Sequence, residues 1–366
     1  MVAIKAPDNY RHEAGIIQRI GEYVKPLASR VTILTSPTAW NLTREAVEAS
    51  LKAAEVHWQV HFLSGPCHLP TIEGLAEQAQ RQRSELIVGI GGGRVLDSAK
   101  AVGKLLDDLS VITVPTIAAT CAAWSPVTVL YNAQGGQDGH IRLTRFPQWV
   151  LVDSSIIARA PVRFLRAGIV DALAKWFEFA PYQRNGADDL GLTLKVNAAQ
   201  LAFDTLRDIG EQAVADNERG LDTAALRRAT DANIALAGLA NSIVDEIDRI
   251  GISHRIHDLL THEPGVHHHW LHGEIVGFAL AVQSQLDSDA PELRQTLLRL
   301  LQQYHTPLTL AQLGVNDSPQ HVAAIAQKFT LPADVAARLP FTIDAGKLTH
   351  ALLTAAEAPA THTAAA

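Results

Sequence analysis

Three consecutive glycines, Gly91-Gly92-Gly93, stand where an apolar stretch gives way to a helical one, and this junction limits the possible folds more than any other feature. The stretch before it, Leu86-Ile87-Val88-Gly89-Ile90, is short and rich in branched side chains, the mark of a buried strand. After it, Val95, Ala99 and Val102 recur at helical spacing. Glycines between a strand and a helix let backbone amides approach a ligand that side chains would exclude. The positive end of the helix faces that gap and favours a phosphate or pyrophosphate. A tight strand-to-helix turn that binds nothing is the alternative reading of the same residues.

Short branched runs recur around that junction. They predict strands at 31–35, 58–63, 86–90, 111–114 and 149–153, with helices near 39–54, 71–83 and 94–106. This alternation is the pattern of a parallel sheet covered by helices on both faces. Beyond Pro161 the branched runs stop, and stretches rich in Ala, Leu, Glu and Arg at 192–216, 222–248, 273–287 and 291–304 predict helices. The expected fold class is an α/β nucleotide-binding domain with a parallel sheet over residues 1–158, followed by an all-α domain over 159–366. The tail from Pro359 to Ala366 is expected to fray.

Composition narrows the function. A net charge of -7 without a basic cluster argues against nucleic acid as a partner. No window approaches the roughly 18 uncharged apolar residues of a membrane span, and the first residues lack the apolar stretch of a signal peptide. Two cysteines, Cys67 and Cys121, fit a reduced compartment, so the expected location is the cytoplasm. The glycine loop is a poor match to the usual dinucleotide fingerprint, because its third glycine would fall on Arg94.

Sixteen histidines are more than packing requires, and three segments of the second half carry groups suited to a metal. Asp171 is a lone acid expected to open a helix, His254 and His257 lie three apart on one helical face, and His272 follows the triplet His267-His268-His269. One carboxylate and two imidazoles with a fourth position open suit a catalytic zinc. The same residues also read as a helix-capping Asp171, a hydrogen-bonded core His254 and a solvated histidine tract.

Five motifs in order then resemble the glycerol dehydrogenase branch of the metal-dependent (group III, "iron-containing") alcohol dehydrogenases, near the hydroxycarboxylate dehydrogenases. They are Gly91-Gly92-Gly93 with Asp97-Ser98-Ala99-Lys100, Pro115-Thr116, Asp171 to Trp176, His254-x-x-His257 and His272-Gly273-Glu274. The resemblance implies a dehydroquinate synthase-like fold with a metal between the two domains, and an NAD(P)-dependent dehydrogenase that forms homo-oligomers. It puts the zinc ligands on Asp171, His254 and His272. The histidine that iron-using relatives add four residues after the first ligand is Lys175 here. The nicotinamide cofactor, NADP or NAD, is implied at Gly92, Gly93, Arg94, Val95, Asp97, Thr116, Ser125, Val127 and Tyr131. His257 is the candidate proton relay or an orienting neighbour of the ligands, and the histidine triplet is expected on a surface loop.

Two departures bear on specificity. Ser36 stands where glycerol dehydrogenases carry an acid for the adenosine ribose, which removes a repulsion against the 2′-phosphate of NADP. Cys121 replaces an Asp of the glycerol pocket, and Trp124 replaces a small residue. These substrate-binding candidates favour a small 2-oxo acid or 2-hydroxy acid, with glycerol as the alternative. A dehydroquinate synthase-like lyase is disfavoured because 115–131 contains no Lys or Arg for a substrate phosphate.

Overall fold

The computed structural model describes residues 2–186, 189–287 and 289–357. Its strands are β1 (Ala3–Ile4), β2 (Tyr10–His12), β3 (Arg30–Thr35), β4 (His57–Phe62), β5 (Leu86–Gly91), β6 (Val111–Pro115), β7 (Val127–Tyr131), β8 (Gln137–Arg142), β9 (Trp149–Val152) and β10 (Ile243–Val244). Six of them form one sheet in the order β2-β9-β6-β5-β3-β4, and every neighbouring pair is parallel. All six residues of β5 are buried, as a central strand covered by helices on both faces requires. β4, at the edge, exposes Phe62.

The order reverses direction at β3, which lies between β4 and β5. In open parallel sheets, ligands bind beyond the carboxyl ends of the strands at such a reversal. Ser36 follows β3 and Gly91 ends β5, so both candidate nucleotide segments border this crevice. The helices that cover the sheet, Pro37–Ala53, Leu69–Arg81 and Gly93–Leu105, match the periodicity closely.

From Val162 onward the chain is dominated by helices, chiefly Val162–Arg184, Leu190–Glu218, Ile252–Leu260 and His272–Leu286. Several features were not expected from the sequence. Asp171 lies in the interior of Val162–Arg184 rather than at its start, which removes the capping interpretation. The stretch predicted as one helix over 222–248 breaks into the helix Ala224–Asp231, a wide π turn over Ala232–Leu236, the helix Ala237–Ser242 and then β10. Strand β10 pairs with β1 near the other end of the chain, so the helical half carries one short strand. An antiparallel hairpin, β7 with β8, stands outside the main sheet.

The largest hydrophobic cluster crosses between the halves, joining Leu96, Ala118, Cys121, Val150 and Val152 to Leu173, Phe177, Phe278 and their neighbours. No helix among the described residues is long and apolar enough to cross a membrane. The expected frayed tail, Pro359–Ala366, lies outside the described residues.

Candidate metal and cofactor site

Gly92 is the N-cap of the helix Gly93–Leu105 and offers no side chain to its amides. A side-chain carbon on Gly92 would meet Ile117 at 2.8 Å, and one on Gly93 would meet Thr120 at 3.4 Å. The segment after β6 therefore packs directly over the glycine loop, and the Thr116 amide donates to the Gly91 carbonyl at 3.1 Å. Arg94 is exposed on the first turn, whereas the Val95 side chain is buried beneath Gly91 and leaves only its backbone for a ligand.

Asp97 is buried and paired with Lys100 at 2.9 Å, and its carboxylate accepts from the Val129 amide at 3.3 Å. The Lys100 ammonium donates to the carbonyls of Ser125 (3.1 Å) and Val127 (2.8 Å). Asp97 and Lys100 thus fasten the segment carrying Ser125 and Val127 to the glycine-loop helix. Lys100 was missed as a functional residue, although its spacing from Asp97 was visible in the motif. Tyr131 ends β7 and packs its ring against His267, with centroids 4.5 Å apart. On the other side of the reversal, the Ser36 hydroxyl caps Pro37–Ala53 by accepting from the Ala39 amide at 3.2 Å.

The metal candidates converge. One ligand atom from each of Asp171, His254 and His272 lies within 4.8 Å of the others. Glycines let the helices approach closely enough for this. A side-chain carbon on Gly273 would fall 1.9 Å from the Ala167 carbonyl, and one on Gly168 would fall 1.9 Å from the Ala118 carbonyl. His272 is thereby held against the Asp171 helix, and that helix against the segment running from β6 to Trp124.

Each imidazole is oriented from behind. Glu178 Oε1 accepts from the Ser253 hydroxyl (2.6 Å), the His254 amide (2.9 Å) and His254 Nδ1 (2.8 Å). His254 Nε2 lies 3.3 Å from Asp171 Oδ1. Burial would lower this imidazole, but Glu178 and Asp171 raise it to about 9, so a metal ion would take Nε2 in place of a proton. Behind His272 is a second chain, in which His272 Nδ1 lies 3.0 Å from His257 Nε2 and His257 Nδ1 lies 3.1 Å from Asp258 Oδ1. An ionised carboxylate can only accept, so His257 carries its proton on Nδ1 and accepts at Nε2. His272 then donates from Nδ1 and frees its own Nε2, 3.5 Å from Asp171 Oδ1. This donor set, a carboxylate and two imidazoles each steadied by a further acceptor, suits a divalent ion.

Electrostatics is consistent with that arrangement. Burial would raise Asp171, but Lys175 and the two histidines hold it well below the usual carboxylate range. Burial lowers His257 to about 4 and keeps it neutral. Lys175, four residues after Asp171, places its ammonium 3.0 Å from Asp171 Oδ1 and 2.9 Å from His254 Nε2.

Cys121 lines the same region, with its sulfur 3.5 Å from the Asn241 amide nitrogen. Burial pushes its thiol up to about 11. Trp124 departs from expectation. Its indole packs on Gly238 and Tyr10, and its N–H donates to the Ser242 hydroxyl at 3.1 Å, so it wedges the junction between the halves. The histidine triplet is also not wholly a surface tract. His268 and His269 are exposed, but His267 is half-buried on Tyr131, and burial lowers it to about 4.

A family description, "Iron-containing alcohol dehydrogenase", matches residues 7–154. Over 358 residues the chain is 33% identical to a glycerol dehydrogenase of Pseudomonas putida, covering 96% of each. The chain belongs to the iron-containing alcohol dehydrogenase family. It is an NAD-dependent alcohol oxidoreductase acting on a small molecule, in a family that depends on a metal. A hydroxycarboxylate dehydrogenase A of Escherichia coli is 38% identical over 259 residues, 70% of either chain. Among solved structures, a probable glycerol dehydrogenase from Sinorhizobium meliloti 1021 superposes with a TM-score of 0.85 at 30% identity, covering 97% of this chain and 98% of that one.

Proposed function

We propose that this chain is a zinc-dependent polyol dehydrogenase of the glycerol dehydrogenase type. It would pass a hydride between a small alcohol and NAD or NADP. The observation that carries this reading is the convergence of Asp171, His254 and His272, whose ligand atoms lie within 4.8 Å of one another. Zinc suits a site with three side-chain donors and Lys175 at the fourth place. When bound, the metal supplies Lewis acidity at the substrate oxygen and the nicotinamide supplies the hydride chemistry.

The protein's own residues do the rest. The amides at Gly92, Gly93, Arg94 and Val95 take the pyrophosphate. Thr116, Ser125, Val127 and Tyr131 line the nicotinamide end, and Asp97 acts through Lys100 to hold that wall in place. His257 has both ring nitrogens engaged and is buried, so it orients His272 and is not the group that takes the substrate proton. The division into 1–158 and 159–366, a cytoplasmic location, homo-oligomers and use of NADP at least as well as NAD belong to this proposal.

A second reading, oxidation of small 2-hydroxy acids and reduction of 2-oxo acids, is favoured by one observation. The wall that resembles the glycerol pocket carries the neutral Cys121 thiol where relatives have a carboxylate, so nothing at that position repels an anion. The test is zinc content by mass spectrometry and NAD(P)-linked oxidation of glycerol and 2-hydroxybutanoate, for the unaltered protein and His254→Ala. The unaltered protein should hold one zinc per chain and favour glycerol. The variant should lose both metal and turnover while keeping its circular dichroism. Full activity in a metal-free His254→Ala protein refutes the metal reading, and a specificity constant favouring 2-hydroxybutanoate selects the second reading.

A further inference from the structure

Lys175 is almost fully buried, at 4% exposure, yet its ammonium is incompletely satisfied. It has three donors, and its hydrogen-bond partners among the described residues are Asp171 Oδ1 and His254 Nε2. The second of these is the imidazole nitrogen that a metal ion at this site would need. A metal and Lys175 cannot both use it. With His254 given to the metal, Lys175 keeps Asp171 and has two N–H groups without a side-chain or backbone acceptor among the described residues.

Charge points the same way. Asp171, Glu178 and Lys175 together carry one net negative charge, and a divalent ion reverses this to one net positive. The neighbouring Asp97 and Lys100 cancel each other, and Cys121 adds a neutral wall. Asp258 lies behind His257 and is partly exposed, so its charge is better screened. A substrate bearing one carboxylate would neutralise the site, and it would give Lys175 the acceptor it lacks.

We propose that Lys175 is a specificity-determining residue that receives a substrate carboxylate, so that the enzyme acts on small 2-hydroxy acids and 2-oxo acids in addition to neutral polyols. This rests on the reading of Asp171, His254 and His272 as a metal site. The competing role is a purely structural one, in which Lys175 does no more than neutralise Asp171.

The two roles separate in the zinc-loaded enzyme. Lys175→Met keeps the length of the side chain and removes the charge, and Lys175→Arg restores the charge. Two quantities are read for each protein. One is the ratio of kcat/KM for 2-hydroxybutanoate over glycerol. The other is the affinity for oxamate, an unreactive carboxylate-bearing probe, by titration calorimetry with NADH present. In Lys175→Met both the ratio and the oxamate affinity should fall by about tenfold or more, and Lys175→Arg should recover part of each. Equal losses on both substrates, or oxamate affinity indifferent to the substitution, overturn the proposal. If the unaltered protein instead holds no zinc and turns over neither substrate, the metal reading itself is wrong. That outcome is separate from the failure of Lys175 alone.

Discussion

Ser36 shows how one side chain can serve the fold while leaving the function adjustable. Its hydroxyl caps the helix Pro37–Ala53, a task Asp performs equally well. Ser36→Asp should therefore preserve stability while placing a negative charge beside the crevice at the strand-order reversal. The expected outcome is a shift of the NADP/NAD preference towards NAD by about tenfold, read as the ratio of kcat/KM for the two cofactors, with the urea midpoint unchanged. An unaltered protein strictly specific for NAD contradicts this account of Ser36. At this scale the sequence was informative about identity and much less about direction. The resemblance to the family named Asp171, His254 and His272; spacing alone paired His254 with His257 and could not choose among sixteen histidines. Trp124 could not be oriented, because the residues it packs on, Tyr10 and Gly238, are remote in the chain. Glu178 and Asp258 were missed for a similar reason. A carboxylate behind a histidine has no local signature when it approaches from another helix, as Glu178 does, and the place of Asp258 next to His257 in the chain does not by itself show a hydrogen bond.

Elements built from local periodicity were legible, and elements built from distant pairing were not. The central strands and their helices follow from branched runs and helical spacing, since a parallel sheet buried on both faces needs nearly continuous apolar strands. Strand β2 is three residues long and exists because β9, far along the chain, offers it an edge. Composition favours one helix through 222–248, yet the chain leaves it to pair Ile243–Val244 with Ala3–Ile4. The hairpin β7–β8 depends on a tertiary anchor, the buried Lys100 ammonium on the Ser125 and Val127 carbonyls. Replacing Lys100 with Met strands the Asp97 carboxylate without its cation and leaves both carbonyls without that donor. Breaking a buried pair in this way costs about 3 kcal/mol or more. Lys100→Met should lower the urea midpoint accordingly and raise KM for the nicotinamide cofactor, because the released segment lines its proposed site. A variant as stable as the parent shows that Lys100 is not the anchor.

At the scale of the whole molecule, the two halves are joined more firmly than a two-domain reading of the sequence suggests. Interfaces between domains of one chain are commonly modest and polar, so relative motion is the default expectation. Here the largest apolar cluster draws on both halves, with Leu96, Ala118, Val150 and Val152 packed into the same core as Leu173, Phe177 and Phe278. Polar contacts run across the same junction. Asp231 accepts from the Tyr10 hydroxyl at 2.6 Å and lies 2.7 Å from His12 Nδ1, Asn233 donates to the Ala118 carbonyl at 3.0 Å, and the Gln137 amide donates to the Thr261 hydroxyl at 2.9 Å. Unfolding either half alone would expose the shared core and break these contacts, so a half-folded state is disfavoured relative to both end states. The expected outcome is one calorimetric unfolding transition, with calorimetric and van't Hoff enthalpies in agreement. Two resolved transitions, or tryptophan fluorescence and circular dichroism melting at different temperatures, contradict this coupling. The same coupling bears on the proposed function: the glycine loop lies in one half and the proposed metal ligands Asp171, His254 and His272 in the other. In the proposed function, a shared core would hold the two sites in fixed register, the alignment of reacting groups on which hydride transfer depends.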